Sequence, residues 1–177
     1  MPRKGDDDTP PPEVLAYYAG FPEESRLGFG SFRLEFERTR EILSRVLPGP
    51  PARIVAVGGA AGAYSSWLAD QGYEVHLVDA SPRLVEEARK RNVKSATPIA
   101  SLSVADARRL PQPDGLAAAV LVMGPLYHLP SAADRMTSLR EAFRVLAADG
   151  IAVVAAISRY ASPWMAWCER SPWTLVS

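Results

Sequence analysis

The sequence predicts an α/β fold, with a doubly wound, mostly parallel sheet of about five strands. Two observations predict it. Short apolar runs alternate along the chain with segments of helical periodicity, as in successive βαβ units. The clearest runs, residues 54–57, 75–78 and 116–123, are mostly apolar without strict alternation, which is typical of parallel strands buried on both faces.

The length of 177 residues fits a single globular domain. The number of Lys and Arg residues equals the number of Asp and Glu residues, at 20 each, so the chain has no basic excess of the kind that nucleic-acid binders usually carry. No apolar run approaches the roughly 18 residues of a membrane span, and the N-terminus has no secretory signal. The single cysteine, Cys168, excludes an intramolecular disulfide and a cysteine-based metal cluster. We therefore expect a cytoplasmic protein with no metal and no membrane or nucleic-acid partner.

Changes in composition divide the chain into four parts. Residues 1–12 are charged and proline-rich, and we expect them to be disordered. Residues 13–49 have helical periodicity and end at a breaker of proline and glycine. Residues 50–160 contain the predicted strands. The tail, residues 161–177, holds three of the four tryptophans, and we expect it to fold back on the core or to meet a partner.

The most informative element is a βαβ unit over residues 53–79. A strand is followed by a turn of small residues, 58–62, then by a helix, and then by a second strand that ends on Asp79, seventeen residues after Gly62. Small residues let the backbone approach a ligand, a helix N-terminus offers free N–H groups, and a terminal carboxylate can hold two ribose hydroxyls. The unit predicts a Rossmann-like nucleotide site.

The later elements follow from capping and periodicity. Ser81 and Pro82 are typical of a helix start. In the last helix Leu139, Phe143 and Leu146 share one face. We predict a helix over 83–91, a weak strand over 96–104, a strand over 116–123, a helix over 131–146 and a strand over 151–157.

Two residues are candidates for chemistry. Tyr127 and His128 follow the strand 116–123, and ligands of open α/β sheets bind beyond the carboxyl ends of the strands. His128 is the best general-base candidate, since an unperturbed histidine has a pKa of about 6.5. The alternative is that His128 caps the next helix or closes over a bound ligand. His76 lies inside the second strand, where we expect a structural role.

Five segments carry a resemblance to a known family. In order they read IVAVGGAAG, VHLVDAS, ADARRLP, LVMGPLYHL and LREAFRVLAADGIAVVAAISRY. Together they resemble the successive motifs of class I S-adenosylmethionine (SAM) methyltransferases, over about residues 17–160. The sequence is most similar to the bacterial small-molecule enzymes of secondary metabolism. This resemblance, rather than the glycine turn, indicates SAM in place of NAD.

The resemblance implies a role for each matching residue. Asp79 would hold the ribose, Asp106 would accept from the adenine amine, and the Ala107 N–H would donate to the ring. The full set implied to bind SAM is Gly58, Gly59, Ala60, Gly62, Asp79, Ala80, Asp106, Ala107, Tyr18 and Gly124. Residues 13–49 would form a lid, Tyr17 and Arg159 would meet a small-molecule substrate, and His128 or Tyr127 would remove a proton. On the residues alone, Asp106 is equally a turn cap and Arg159 equally a solvent-facing side chain.

The sequence departs from the family pattern in two places. Ala56 stands where the glycine motif has an acid, and Ala60 stands where it has its middle glycine. The 20 residues after Ile157 show no pattern of the usual C-terminal antiparallel hairpin. Strand five is then expected to be an apolar edge, and such edges pair unless they are covered. We therefore expect the tail to cover it, or a second chain to do so in a homodimer or a hetero-complex.

Three functions remain open at this point. The first is a SAM-dependent methyltransferase that acts on a small natural-product-like molecule. The second is an enzyme on the same scaffold that no longer transfers methyl groups and catalyses a cyclisation or another rearrangement. The third is a non-catalytic partner that stabilises a full-length methyltransferase through strand five and the tail.

Overall fold

The computed structural model describes residues 30–157, and only the backbone of residues 30–32. Five helices and five strands occupy this part of the chain. They are α1 (Gly30–Val46), β1 (Arg53–Val57), α2 (Ala63–Asp70), β2 (Glu74–Asp79), α3 (Pro82–Asn92), β3 (Ser101–Val104), β4 (Ala117–Val122), α4 (Pro125–His128), α5 (Ala132–Val145) and β5 (Leu146–Val154). The predicted tails, 1–12 and 161–177, lie outside the described residues, as does the first part of the predicted lid.

The strands form one sheet in the order β3-β2-β1-β4-β5, and every neighbouring pair is parallel. The predicted α/β fold is confirmed. β3 is shorter than expected, because it begins only at Ser101. β5 begins earlier than expected: Leu146 pairs with Ala117, and the register then shifts before Ile151 pairs with Ala119.

One face of the sheet packs against α1, α2 and α3. Its core is made of side chains that are at most 5% exposed. They are Leu43, Ile54, Ala56, Leu68, Ala69, Val75, Leu77, Val85, Ala88, Ile99, Ala119 and Leu121. Ser81 begins α3 as predicted, since its hydroxyl accepts a hydrogen bond from the Leu84 backbone N–H at 3.4 Å.

Three contacts set the direction of α1 relative to α2. The Phe36 and Tyr64 rings lie 5.0 Å apart, and one turn further along both helices the Arg40 guanidinium lies 5.1 Å from the Trp67 ring. At the other end, the Tyr73 hydroxyl donates to the Pro48 carbonyl at 2.7 Å. The two helices therefore run in the same direction, and α1 begins at the edge of the sheet where the turn after β1 lies.

The other face packs against α5 and against the segment 105–116 that joins β3 to β4. Ala107 and Leu110 of this segment pack in the core cluster of Val57 and Val78 from β1 and β2. Arg144 of α5 donates to the Leu110 and Gln112 carbonyls, and the Glu141 carboxylate accepts from the Leu110 N–H at 2.8 Å. One flank of α5 is thus fixed to the segment 105–116.

Phe143 lies on the exposed side of α5. The α5 residues that face the sheet are Ser138, Ala142 and Val145, and Phe143 is 79% exposed. Successive helix residues are about 100° apart, so Phe143 lies about 200° from Glu141, on the flank away from the segment 105–116. Other apolar side chains of α5, of β5 and of the residues after β5 are also exposed. We refer to Met136, Phe143, Ile151, Val154 and Ile157 as the β5 end.

None of the described helices is long and apolar enough to cross a membrane. Within residues 30–157 no group of three His, Cys, Asp or Glu side chains is placed to hold a metal ion.

Candidate functional site

The turn after β1 is held against the end of β2. Both Gly58 and Gly59 donate their N–H groups to the Val78 carbonyl, at 2.8 and 3.2 Å, and Gly62 donates to the Gly59 carbonyl at 2.9 Å. Gly58 and Gly62 have φ angles of 73° and 84°. Glycine adopts this left-handed region without steric cost, which explains its use at both positions.

Ala60 and Asp79 connect this turn to the next loop. The Ala60 N–H donates to Asp79 Oδ2 at 2.8 Å, and the Ser81 N–H donates to Oδ1 of the same carboxylate at 2.8 Å. Ala60 has a φ of 47°, so a non-glycine residue occupies the left-handed region here. The half-buried Asp79 carboxylate therefore lies at the mouth of the glycine turn, where the sequence predicted a ribose ligand.

The loops after β1 and β4 approach each other closely. A Cβ added at Gly58 would lie 2.6 Å from Pro125 Cδ and 3.5 Å from Gly124 Cα. β1 and β4 are the strands at which the sheet order reverses, and ligands of open α/β sheets bind at this point. Gly124 therefore lies beside the glycine turn, as expected of a residue that lines the same crevice.

Asp106 and Ala107 follow β3 and are both buried. The Asp106 carboxylate already has a protein partner. Arg108 donates to Oδ1 from its backbone N–H at 2.7 Å and from Nε at 3.0 Å, and to Oδ2 from Nη2 at 2.7 Å. The turn-cap role that the residues alone allowed is thus present, since the first of these bonds joins residues two positions apart.

His128 ends the short helix α4, beside Tyr127. The two rings lie 4.8 Å apart, and the Tyr127 hydroxyl donates to the Met123 carbonyl at 3.4 Å. Burial lowers the pKa of His128 from its ordinary value of 6.5, because the charged imidazolium is poorly solvated there. The neutral ring therefore predominates at neutral pH, and a neutral ring can accept a proton.

The structure brings most of the predicted site residues to one edge of the sheet. These residues end or follow the strands β1 to β4 at their carboxyl ends: the turn 58–62, Asp79, Ala80, Asp106, Ala107, Gly124, Tyr127 and His128. Tyr17, Tyr18 and Arg159 lie outside the described residues. Ala56 is 4% exposed and belongs to the apolar core. His76 lies in β2, with Nδ1 2.8 Å from the Ser101 hydroxyl.

Sequence reasoning missed two contributors to this edge. Arg108 fixes Asp106, and Pro125 fills the space beside Gly58. The Asp-x-Arg spacing of Asp106 and Arg108 was a visible signal for the first. No local pattern in the sequence indicated the role of Pro125, because its contact with Gly58 joins two loops that are distant in the chain.

Comparison with known proteins places this geometry in a family. The profile of a family described as a methyltransferase domain matches residues 55–154, which is more than half of the chain. No curated protein matches the chain in sequence.

Solved structures show the same fold at low identity. The PH0226 protein from Pyrococcus horikoshii is 23% identical, with a TM-score of 0.66 over 78% of this chain and 64% of that chain. A putative methyltransferase of Haloferax volcanii, in complex with the Trm112 methyltransferase activator, is 22% identical, with a TM-score of 0.65 over 80% of this chain and 59% of that one.

The [4+2]-cyclase SpnF is also similar, with 23% identity and a TM-score of 0.58 over 66% of this chain and 43% of that one. The chain thus spans less than two thirds of the length of these structures. The profile match, which covers the sheet from β1 to β5, shows that the chain belongs to the methyltransferase-domain family.

Proposed function

We propose that this protein is a SAM-dependent methyltransferase that acts on a small, natural-product-like molecule. The position of Asp79 carries the proposal: its carboxylate lies at the end of β2 and accepts from the Ala60 N–H inside the glycine turn. A carboxylate fixed at this position is the feature that binds ribose hydroxyls in nucleotide-binding βαβ units. Membership of the methyltransferase-domain family supports SAM as the nucleotide.

The described residues fit the adenosyl part of SAM. Asp79 and Ala80 would hold the ribose, Asp106 and Ala107 the adenine, and the turn 58–62 with Gly124 would line the crevice. The fit is less complete at the methionine end, because Ala56 offers no carboxylate to the amino group of SAM. Tyr18, which lies outside the described residues, is proposed to complete the cofactor site.

When bound, SAM supplies an electrophilic methyl group on a positively charged sulfur. The contribution of the chain is then mainly alignment of the acceptor. His128 would remove the acceptor's proton, since burial keeps the pKa of its ring below 6.5 and the ring neutral. Tyr127 lies beside it, and Tyr17 and Arg159 are proposed substrate contacts.

An assay for the product S-adenosylhomocysteine tests this proposal. Wild-type protein would be incubated with SAM and a panel of phenols, amines and β-dicarbonyl compounds, with Asp79→Ala as the background. At least one acceptor is expected to release S-adenosylhomocysteine above that background. Binding of SAM without turnover of any acceptor would instead favour the second candidate.

The second candidate is a cyclase or another rearrangement enzyme on the same scaffold. The likeness to SpnF and the two alanines, Ala56 and Ala60, favour it. A deletion strain distinguishes the two proposals. Loss of a methyltransferase leaves an unmethylated compound, whereas loss of a cyclase leaves an uncyclised intermediate of the same elemental composition as the product.

We also propose that a second chain covers the β5 end, in a homodimer or in a hetero-complex with a full-length methyltransferase. The exposed apolar side chains of α5 and β5 support this, because large exposed apolar patches usually mark protein contacts. The Haloferax methyltransferase similar to this chain binds an activator protein. Monomeric behaviour in light scattering at micromolar concentration would count against the proposal. A cytoplasmic location stays a prediction.

A further inference from the structure

We infer that Arg108 is a positioning residue that holds the Asp106 carboxylate in the one orientation that selects an exocyclic amine on the bound purine. This inference rests on the proposed function, since it takes the adenine of SAM to lie at Asp106. It adds Arg108 to that site and predicts that the site binds adenine more tightly than hypoxanthine.

The contacts of Asp106 carry the inference. Its carboxylate accepts three hydrogen bonds, and all three donors belong to Arg108. Nε and Nη2 form a two-pronged contact with Oδ1 and Oδ2, which fixes the plane of the carboxylate as well as its distance. The backbone N–H of the same residue adds the third bond, so Asp106 cannot rotate without breaking several bonds together.

The number of remaining acceptor positions explains the selectivity. A carboxylate offers about four lone-pair positions, so three donors leave about one for a ligand. The Asp106 side chain is 7% exposed, which restricts the directions from which a ligand can approach. The remaining lone pair of the Asp106 carboxylate can only accept a hydrogen bond, so it can bind the exocyclic amine of adenine. Hypoxanthine carries a carbonyl oxygen at the same ring carbon, and this oxygen would be repelled by the carboxylate.

Arg108 is itself fixed from a second element. Its Nη1 donates to the Asp134 carboxylate of α5 at 3.3 Å, and its side chain is 19% exposed. Arg108 also pairs with the charge of Asp106, which would otherwise be costly to bury beside a bound purine. The orientation and the charge of the acceptor therefore both depend on this arginine.

Calorimetric titration with two probes tests the inference. The probes are S-adenosylhomocysteine and its inosine counterpart, in which a carbonyl oxygen replaces the exocyclic amine. Wild-type protein is expected to bind the adenosine probe at least about 10-fold more tightly. Arg108→Met is expected to weaken the adenosine probe by about 10- to 100-fold and to bring the ratio of the two dissociation constants close to one.

Two further variants keep the test decisive. Arg140→Met removes an equal charge from the exposed surface of α5 and is expected to leave both affinities unchanged. Arg108→Lys keeps the charge but not the two-pronged contact, so it is expected to recover affinity while the ratio stays low. It also serves as the test if Arg108→Met does not fold, which circular dichroism would show.

The two levels of the proposal fail differently. If the wild-type protein binds neither probe, the SAM site is absent and the inference falls with it. If the wild-type protein discriminates between the probes and both Arg108 variants discriminate equally well, the proposed function stands and Arg108 has only a structural role.

Discussion

Two regions of the molecule differ in whether their surface groups have partners within the described residues. At the carboxyl ends of β1 and β2, polar groups of the two loops form hydrogen bonds with each other, such as the bond from the Ala60 N–H to the Asp79 carboxylate. At the β5 end, in contrast, apolar side chains are open to solvent, among them Phe143 at 79% and Ile157 at 60% exposure. In the first region these polar groups have partners within the described residues, whereas the second region has the composition of a contact surface.

This difference separates two kinds of variant. Changes at the glycine turn should affect ligand binding and stability without changing association. Changes at the β5 end should affect association without changing ligand binding. A glycine-turn variant that changed association, or a variant at the β5 end that changed ligand binding, would show that the two regions are not independent.

The largest effect is expected from Gly58→Ala. The new Cβ meets Pro125 at 2.6 Å, and the φ of 73° is strained for any residue with a side chain. We expect the free energy of unfolding to fall by at least about 3 kcal/mol, as measured by urea denaturation.

Gly115→Ala is the matched control for Gly58→Ala. Gly115 has a φ of 66°, but an added Cβ meets nothing within 4 Å. Its expected cost is therefore only about 1 kcal/mol, from backbone strain alone. Equal costs at the two glycines would show that the close approach of the β1 and β4 loops is not a source of stability.

The next effect concerns the pH dependence of His128. Because burial lowers the pKa of its ring, the neutral base form persists to below pH 6.5, and kcat/KM should fall only on the acid side of that value. His128→Ala should remove this acid limb and lower kcat by about 100-fold with the acceptor found in the panel. His76→Gln, at the other histidine of the chain, should keep the limb. An acid limb that survives in His128→Ala would assign the proton to another group.

A smaller effect is expected at the β5 end. Phe143→Ser should weaken self-association or partner binding by at least about 10-fold in analytical ultracentrifugation, because it removes an exposed aromatic from the proposed contact. The free energy of unfolding of the isolated chain should change by less than about 0.5 kcal/mol. Val93→Ser is the control, since Val93 is 82% exposed at the end of α3, far from β5. Equal effects of the two variants on association would show that the β5 end is not a specific contact surface.

The smallest effect is expected from Ala60→Gly. Glycine relieves the φ of 47°, so the protein should gain up to about 1 kcal/mol of stability in thermal unfolding. Affinity for S-adenosylhomocysteine should stay equal or increase, because the site gains space. Weaker binding by this variant would mean that the Ala60 methyl group contacts the ligand favourably.

The same contrast explains what the sequence could predict. Asp79, the glycine turn and the Ser81 cap follow local rules of spacing and conformation, and the structure has them where those rules place them. The exposure of Phe143 could not be predicted, because periodicity identifies an apolar face but not the element that covers it. The spacing of Arg108 from Asp106 was visible in the sequence, but its burial and its bond to Asp134 of a distant helix were not.

Calorimetric titration of the purified protein with SAM and S-adenosylhomocysteine is the most direct test of whether Asp79 anchors a SAM site. We expect micromolar binding that is lost in Asp79→Ala and Asp79→Asn, since the Asp79 carboxylate holds the turn and is proposed to hold the ribose. Binding should persist in Asp70→Ala, an exposed carboxylate at the far end of α2. Absence of binding by both compounds, or binding that is unchanged in the Asp79 variants, would show that Asp79 does not anchor a SAM site.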